Sequence, residues 1–128
     1  MFLFYLINLI HGESDFISSI RNQLSMNQND AAFQAANSKI LEKSSKDVDK
    51  TLFFSRGCAS VKMLNFDQGI SDLSRFLSYI NNVSPKDKTA YSLRATAYLK
   101  MGQLDEAQND AQQIHKNVII QKKIQKVW

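Results

Sequence analysis

One proline and four glycines in 128 residues leave this chain with little punctuation. Turn-rich β folds draw heavily on both residue types. Their scarcity, with no stretch of alternating apolar and polar residues, excludes such a fold and points to helices. The single cysteine, Cys58, excludes an internal disulfide and leaves the redox compartment open. With only His11 and His115 beside it, no metal-ligand cluster forms in the sequence. The glycines stand isolated at 12, 57, 69 and 102, so no glycine-rich loop exists to cradle phosphates. A metal, a cofactor or an enzymatic site is therefore not expected.

What is present suits one globular domain long enough to bury its own core. The formal net charge is +4, and much of it sits in Lys116, Lys122, Lys123 and Lys126. A basic end can touch nucleic acid or anionic lipid. No aromatic residues are interleaved among these lysines to stack on bases, so nucleic acid is not expected and a solvated helix face is the reading. Asp67, Asp72, Asp105, Glu106 and Asp110 fall near the starts of expected helices, where carboxylates complement the helix dipole, which favours capping over acid–base chemistry. Cys58 has no histidine beside it in sequence and reads as a packed or groove-lining thiol rather than a nucleophile.

The first twelve residues, MFLFYLINLIHG, carry an apolar run from Phe2 to Ile10 broken only by Asn8. The run is too short to span a bilayer as a helix. It fits the apolar core of a signal peptide, followed by the small Gly12, although no Lys or Arg precedes it. That reading places the protein in the endoplasmic reticulum lumen or outside the cell. The other reading is an apolar first element packed on the domain, in a cytoplasmic protein.

Helical spacing of Phe16, Ile17, Ile20 and Leu24 predicts a helix from Asp15 to about Ser25. A second helix is expected over 31–43, a third over about 49–64, and a fourth over about 67–80, ended by Asn81 to Pro85. A fifth is expected over about 86–101, with Gly102 as its C-cap, and a sixth from near Asp105, either extending towards the end or breaking around Asn117.

Two of these segments repeat. At an offset of 38 residues, Lys50 meets Lys88, Arg56 meets Arg94, Ala59 meets Ala97, Lys62 meets Lys100, Met63 meets Met101, Asp67 meets Asp105 and Asp72 meets Asp110. Large and small positions recur with the charges: Phe53 with Tyr91, Gly57 with Ala95, Phe66 with Leu104, and Gly69 with Ala107. Such self-similarity signals a repeat of helix–turn–helix units that bury their apolar faces by stacking. Gly57 and Ala95 are expected where two helices approach closely. Phe66 and Leu104 are expected to lock each hairpin.

The stretch AYSLRATAYLKMGQLDEAQNDA resembles the tetratricopeptide repeat family, with Tyr91, Ala95, Tyr98, Gly102, Leu104, Asp105, Ala107 and Ala111 at the signature sites. LFFSRGCASVKMLNFDQGISDL matches through Phe53, Gly57, Phe66 and Leu73, but Ser60 replaces the aromatic and Leu64 the turn glycine. Residues 15–45 fit a degenerate first copy, with Phe16 against Phe53 and Ala32 against Gly69. The repeat exceeds the family's usual length of about 34 residues, and the surplus is read as an extended second helix and loop from Ser78 to Asp87. The resemblance implies an all-α superhelix: a degenerate repeat at 15–45, two clear ones at 50–85 and 88–117, and a capping helix at 118–128. The end, NVIIQKKIQKVW, is amphipathic and so also suits contact with a membrane surface. The finish at Trp128 leaves open a fragment of a longer array.

By the same resemblance, a peptide lies in a concave groove lined by first helices: Phe54, Cys58, Val61 and Lys62 from one copy, and Ser92, Leu93, Thr96 and Lys100 from the next. Arg56 and Arg94 are expected to bond within the stack or to reach a ligand carboxylate, the former favoured. Relatives that grip acidic chaperone tails use a carboxylate clamp of Lys and Asn, but here Phe54, Cys58 and Leu93 occupy those positions. An acidic chaperone tail is therefore not the expected ligand. The strings Arg56-Gly57, Arg94-Ala95-Thr96 and Met101-Gly102 resemble the repeat array of endoplasmic-reticulum J-domain co-chaperones, which bind unfolded clients through apolar patches. The His-Pro-Asp motif of their J domain is missing from the sequence. The expected function is a non-enzymatic, chaperone-adaptor-like module that binds a peptide or client. The alternative is a scaffold subunit of a larger assembly.

Overall fold

A computed structural model of the chain describes residues 15–42, 48–79 and 85–127. The apolar start at 1–12 and the connector at 43–47 lie outside them. Among the described residues every element is a helix: α1 over 15–25, α2 Asn29–Glu42, α3 Lys50–Lys62, α4 Phe66–Ser78, α5 Pro85–Lys100 and α6 Leu104–Val127. They form three hairpins, α1/α2, α3/α4 and α5/α6. The α3/α4 hairpin packs through α3 on α2 and through α4 on α5, and α3 also touches α5. The fold is all-α and is built as a stacked helical repeat.

The three turns share one hydrogen-bond pattern. The amide of Gln28 donates to the Gln23 carbonyl, that of Asn65 to Ser60, and that of Gln103 to Tyr98, each at 2.8 Å. One residue earlier, Asn27, Leu64 and Gly102 donate to Leu24, Val61 and Leu99. This is the Schellman arrangement, which satisfies the last carbonyls of a helix and requires a left-handed residue at its centre. Those central residues have φ of 59°, 67° and 77°. Asn and Gly tolerate that conformation, whereas a leucine there costs about 1–2 kcal/mol. The first repeat, degenerate in its side chains, is thus regular in its backbone.

Several boundaries differ from expectation. Pro85 does not end α4 but opens α5, where a missing amide hydrogen is no loss and the fixed φ suits the helix. Helix α4 ends at Ser78 with Tyr79 as its C-cap, so the repeat surplus does not lengthen the second helix and lies between Tyr79 and Pro85. The turn before α4 is Met63–Asn65, and Phe66 is already helical. Helix α6 passes Asn117 without a break, so 118–127 continue α6 rather than forming a separate cap. Asp49 caps α3, its side chain accepting the Thr51 amide at 2.8 Å.

Helix α3 is the centre of the molecule. Leu52, Phe53, Gly57, Cys58, Ala59, Ser60 and Val61 are all buried, so it is enclosed on nearly every side. Its small residues permit this. A Cβ built on Gly57 would stand 2.9 Å from the Leu73 side chain, and one on Gly69 2.5 Å from a Val61 methyl. Helix α4 is instead one-sided, burying Gly69, Asp72, Leu73 and Phe76. The core joins Ile20 and Leu24 of α1, Ala32 and Ala36 of α2, and Ala90 and Ala97 of α5 to these residues.

Candidate interaction surface

Two guanidinium–carboxylate units hold the frame on which any surface stands. Arg56 donates to both Asp72 carboxylate oxygens at 2.8 Å, and its third nitrogen donates to Asn37 Oδ1 at 3.0 Å. Arg94 repeats the unit one hairpin on, donating to Asp110 at 2.8 and 2.6 Å and to Ser74 Oγ at 3.0 Å. Each arginine thus ties its own hairpin together and pins it to the second helix of the hairpin before. Asp72 and Asp110 are 2% and 3% exposed. These two carboxylates are therefore buried pair members, not the dipole-complementing groups expected, whereas Asp67, Asp105 and Glu106 do lie in exposed first turns. Burial works against the Arg94 charge, but the hydrogen bonds and charge of Asp110, with Tyr98 and Tyr91 nearby, outweigh it and raise the guanidinium above its ordinary range. Aromatic faces complete both units: Arg75 and Arg56 stand 4.6 and 5.8 Å from the Phe53 ring, and Arg94 stands 5.6 and 5.8 Å from Tyr91 and Tyr98.

The eight residues expected to line a groove separate into three groups. Lys62, Ser92, Thr96 and Lys100 are exposed. Phe54 and Leu93 are half-buried, and the Phe54 ring lies 5.0 Å from Phe76 in a tilted pair. Cys58 and Val61 are 4% and 5% exposed and do not line an open groove. The reason is the central place of α3: Val61 points into the cleft against Gly69 of α4. Burial pushes the Cys58 thiol from 9.0 up to about 12, against a smaller downward pull from Lys62 and the thiol's own backbone, which disfavours the thiolate. The accessible part of this face is mostly polar and cationic, with apolar surface confined to Phe54 and Leu93.

The residues expected to pack also divide. Phe53, Gly57, Gly69 and Ala107 are buried, and Phe66, Tyr91, Ala95 and Tyr98 are half-buried. Gly102 serves the turn through its backbone. Leu104 is 64% exposed and does not lock its hairpin. Phe66 at the matching position packs against the core, because its hairpin has neighbours on both sides, while the α5/α6 hairpin has one among the described residues.

Large exposed apolar residues gather instead at the turns. Met26, Met63 and Met101 occupy the same position in the three hairpins and are 67%, 36% and 40% exposed, and Leu64 beside them is 71% exposed. Among the described residues, no group of three or more His, Cys, Asp and Glu could hold a metal ion, and no helix is long and apolar enough to cross a membrane. Comparison with family models, with curated proteins and with solved structures found no match.

Proposed function

We propose that this chain is a non-enzymatic protein-interaction module of the tetratricopeptide kind, which holds a peptide or a segment of a client protein on the face formed by α3 and α5. The observation that carries the reading is the row Lys62, Ser92, Thr96 and Lys100, exposed on two first helices beside the half-buried Phe54 and Leu93. The buried Arg56–Asp72 and Arg94–Asp110 charges are already engaged in structure, so the exposed hydroxyls and ammonium groups are the ones accessible to a partner. Their chemistry favours an extended segment that offers carboxylates or backbone carbonyls to the lysines and one apolar side chain to Phe54 and Leu93. A chaperone-adaptor role and a luminal location accord with the sequence resemblance and remain part of this proposal.

The test is selection of peptides from a random phage-displayed library on the full chain, followed by binding to Thr96→Arg and Lys100→Glu variants. Both positions are exposed, so the variants keep the fold. Enriched peptides that bind these variants about tenfold more weakly would support the reading. A library that yields no enriched peptide, or peptides indifferent to both substitutions, would overturn it. A second reading, a permanent scaffold subunit, is favoured by Met26, Leu64 and Leu104, which expose 67%, 71% and 64% of their surface. Native protein recovered from cells as a partner-free monomer would remove it.

A further inference from the structure

Leu64 carries two costs at once. It is a leucine in a left-handed conformation, at φ 67°, and it exposes 71% of its surface. The same turn position is served by Asn27 and Gly102 in the other hairpins, neither of which carries an apolar side chain. Neither the turn nor the core requires a leucine there. A side chain kept at the cost of backbone strain and exposed apolar area is the kind of outlier that marks a contact site.

Its surroundings extend the argument. Met26, Met63 and Met101 stand at matching positions of three stacked turns, and Leu104 follows the third, 64% exposed. Methionine adapts to irregular partners, which suits it to binding surfaces. Lys62 closes the gap between the first two turns, its Nζ donating to the Leu24 carbonyl at 3.4 Å. Exposed lysines, Lys62 and Lys100, border this apolar strip on the side of the first helices. Exposed aspartates, Asp30, Asp67 and Asp105, border it on the side of the second helices.

The strip has the dimensions of one helix. Packed helices lie about 8–10 Å apart, and α3 touches α5 directly, so successive turns stand roughly 10 Å apart. One heptad of an α-helix rises about 10.5 Å. A strip three turns long and one helix wide is too narrow for the roughly 800 Å² per partner that a second globular copy would bury. We propose that the turn edge of this protein binds an amphipathic helix of another protein, laid along the stack with one apolar residue per heptad on the Met–Leu strip. Its acidic flank faces Lys62 and Lys100, and its basic flank faces Asp30, Asp67 and Asp105. This surface adjoins the α3/α5 face and shares Lys62 and Lys100 with it, but its apolar strip lies at the turns and does not rest on the peptide reading given for that face.

The test uses the full chain and a fluorescein-labelled synthetic helix of about three heptads, with leucines on one stripe, glutamates along one flank and lysines along the other. Anisotropy should report binding, and raising the salt concentration should weaken it, because the charge rows that flank the strip are then screened. Leu64→Asn copies the first hairpin's turn, so it should raise the melting temperature while weakening the helix about tenfold, the scale of one leucine side chain leaving an apolar contact. Met101→Gln should weaken it similarly without raising the melting temperature. Unchanged binding by both variants, or no binding of the helix, would overturn the proposal. So would loss of the helix on Thr96→Arg with Leu64→Asn unaffected, which would assign it to the α3/α5 face and leave the peptide reading standing. A dimer in sedimentation that Leu64→Asn dissolves would also overturn it, since a second copy would then cover the strip.

Discussion

The α3/α4 and α5/α6 hairpins share one plan and differ in what they offer outward. Around Ser74, which receives Arg94 of the next hairpin, helical spacing places Ile70, Leu73 and Leu77, all of them in or against the core. The matching positions of α6, one repeat on, are Gln108, Ala111, Gln112 and His115, and with Lys116 they line an open hollow. The α6 face thus carries two amides, an alanine and an imidazole where α4 carries isoleucine, two leucines and serine. The turn and the arginine unit make a hairpin. The outward face of its second helix decides whether another hairpin can stack on it, because apolar burial supplies most of the driving force.

The largest effect that could break this comparison lies in the buried ion pairs. Asp72→Ala leaves Arg56 buried with Asn37 as its remaining hydrogen-bond partner, and should destabilise the protein by about 3–5 kcal/mol in urea unfolding. Asp110→Ala should cost less, about 2 kcal/mol, because the outer hairpin lets Arg94 relax towards solvent. Equal losses would mean that the two hairpins are energetically alike and that the outward face does not matter to the pair.

A smaller effect compares the turns. Gly102→Leu gives the third hairpin the residue found in the second, and at φ 77° it should cost about 1–2 kcal/mol. Nothing stands within 4 Å of a Cβ at that site, so the loss would come from backbone conformation alone. A melting temperature unchanged by Gly102→Leu would show that Leu64 is not strained either.

The smallest effect at neutral pH concerns Cys58. Its thiol ionises near 9.0 when exposed and near 12 in the fold. Between those values the native state holds a proton that the unfolded chain has lost, so stability is full below about pH 9 and falls as pH rises towards 12. Cys58→Ala should flatten part of that fall. Native protein at pH 8 should resist iodoacetamide until it is unfolded, and rapid native alkylation would place Cys58 at the surface.

Much of the frame was legible because repeats write their spacing twice. Arg56 and Asp72 are 16 residues apart, and so are Arg94 and Asp110. Both pairs stand out when the chain is slid along itself, yet read singly the aspartates looked like groups near helix starts. The recurrence of the spacing was the signal that they meet. The interior of the expected groove was not legible. Cys58 and Val61 share a face with Phe54 and Lys62 by periodicity, but periodicity cannot say how many neighbours a helix has. The regular turn of the first hairpin was hidden for a related reason, since Asn27 and Leu64 do not look alike although both serve as left-handed caps.

By itself, the sequence determined that the chain is helical, that its helices pair in hairpins, and where most of them begin and end. These are matters of local propensity, few breakers and repeated spacing, which act over one or two turns of chain. Only the tertiary structure decided that α3 lies at the centre with Cys58 and Val61 sealed, that two aspartates are buried ion-pair partners, and that exposed methionine and leucine collect along the turn edge. Those outcomes depend on which faces neighbouring hairpins cover, and burial belongs to the assembled stack rather than to any one segment.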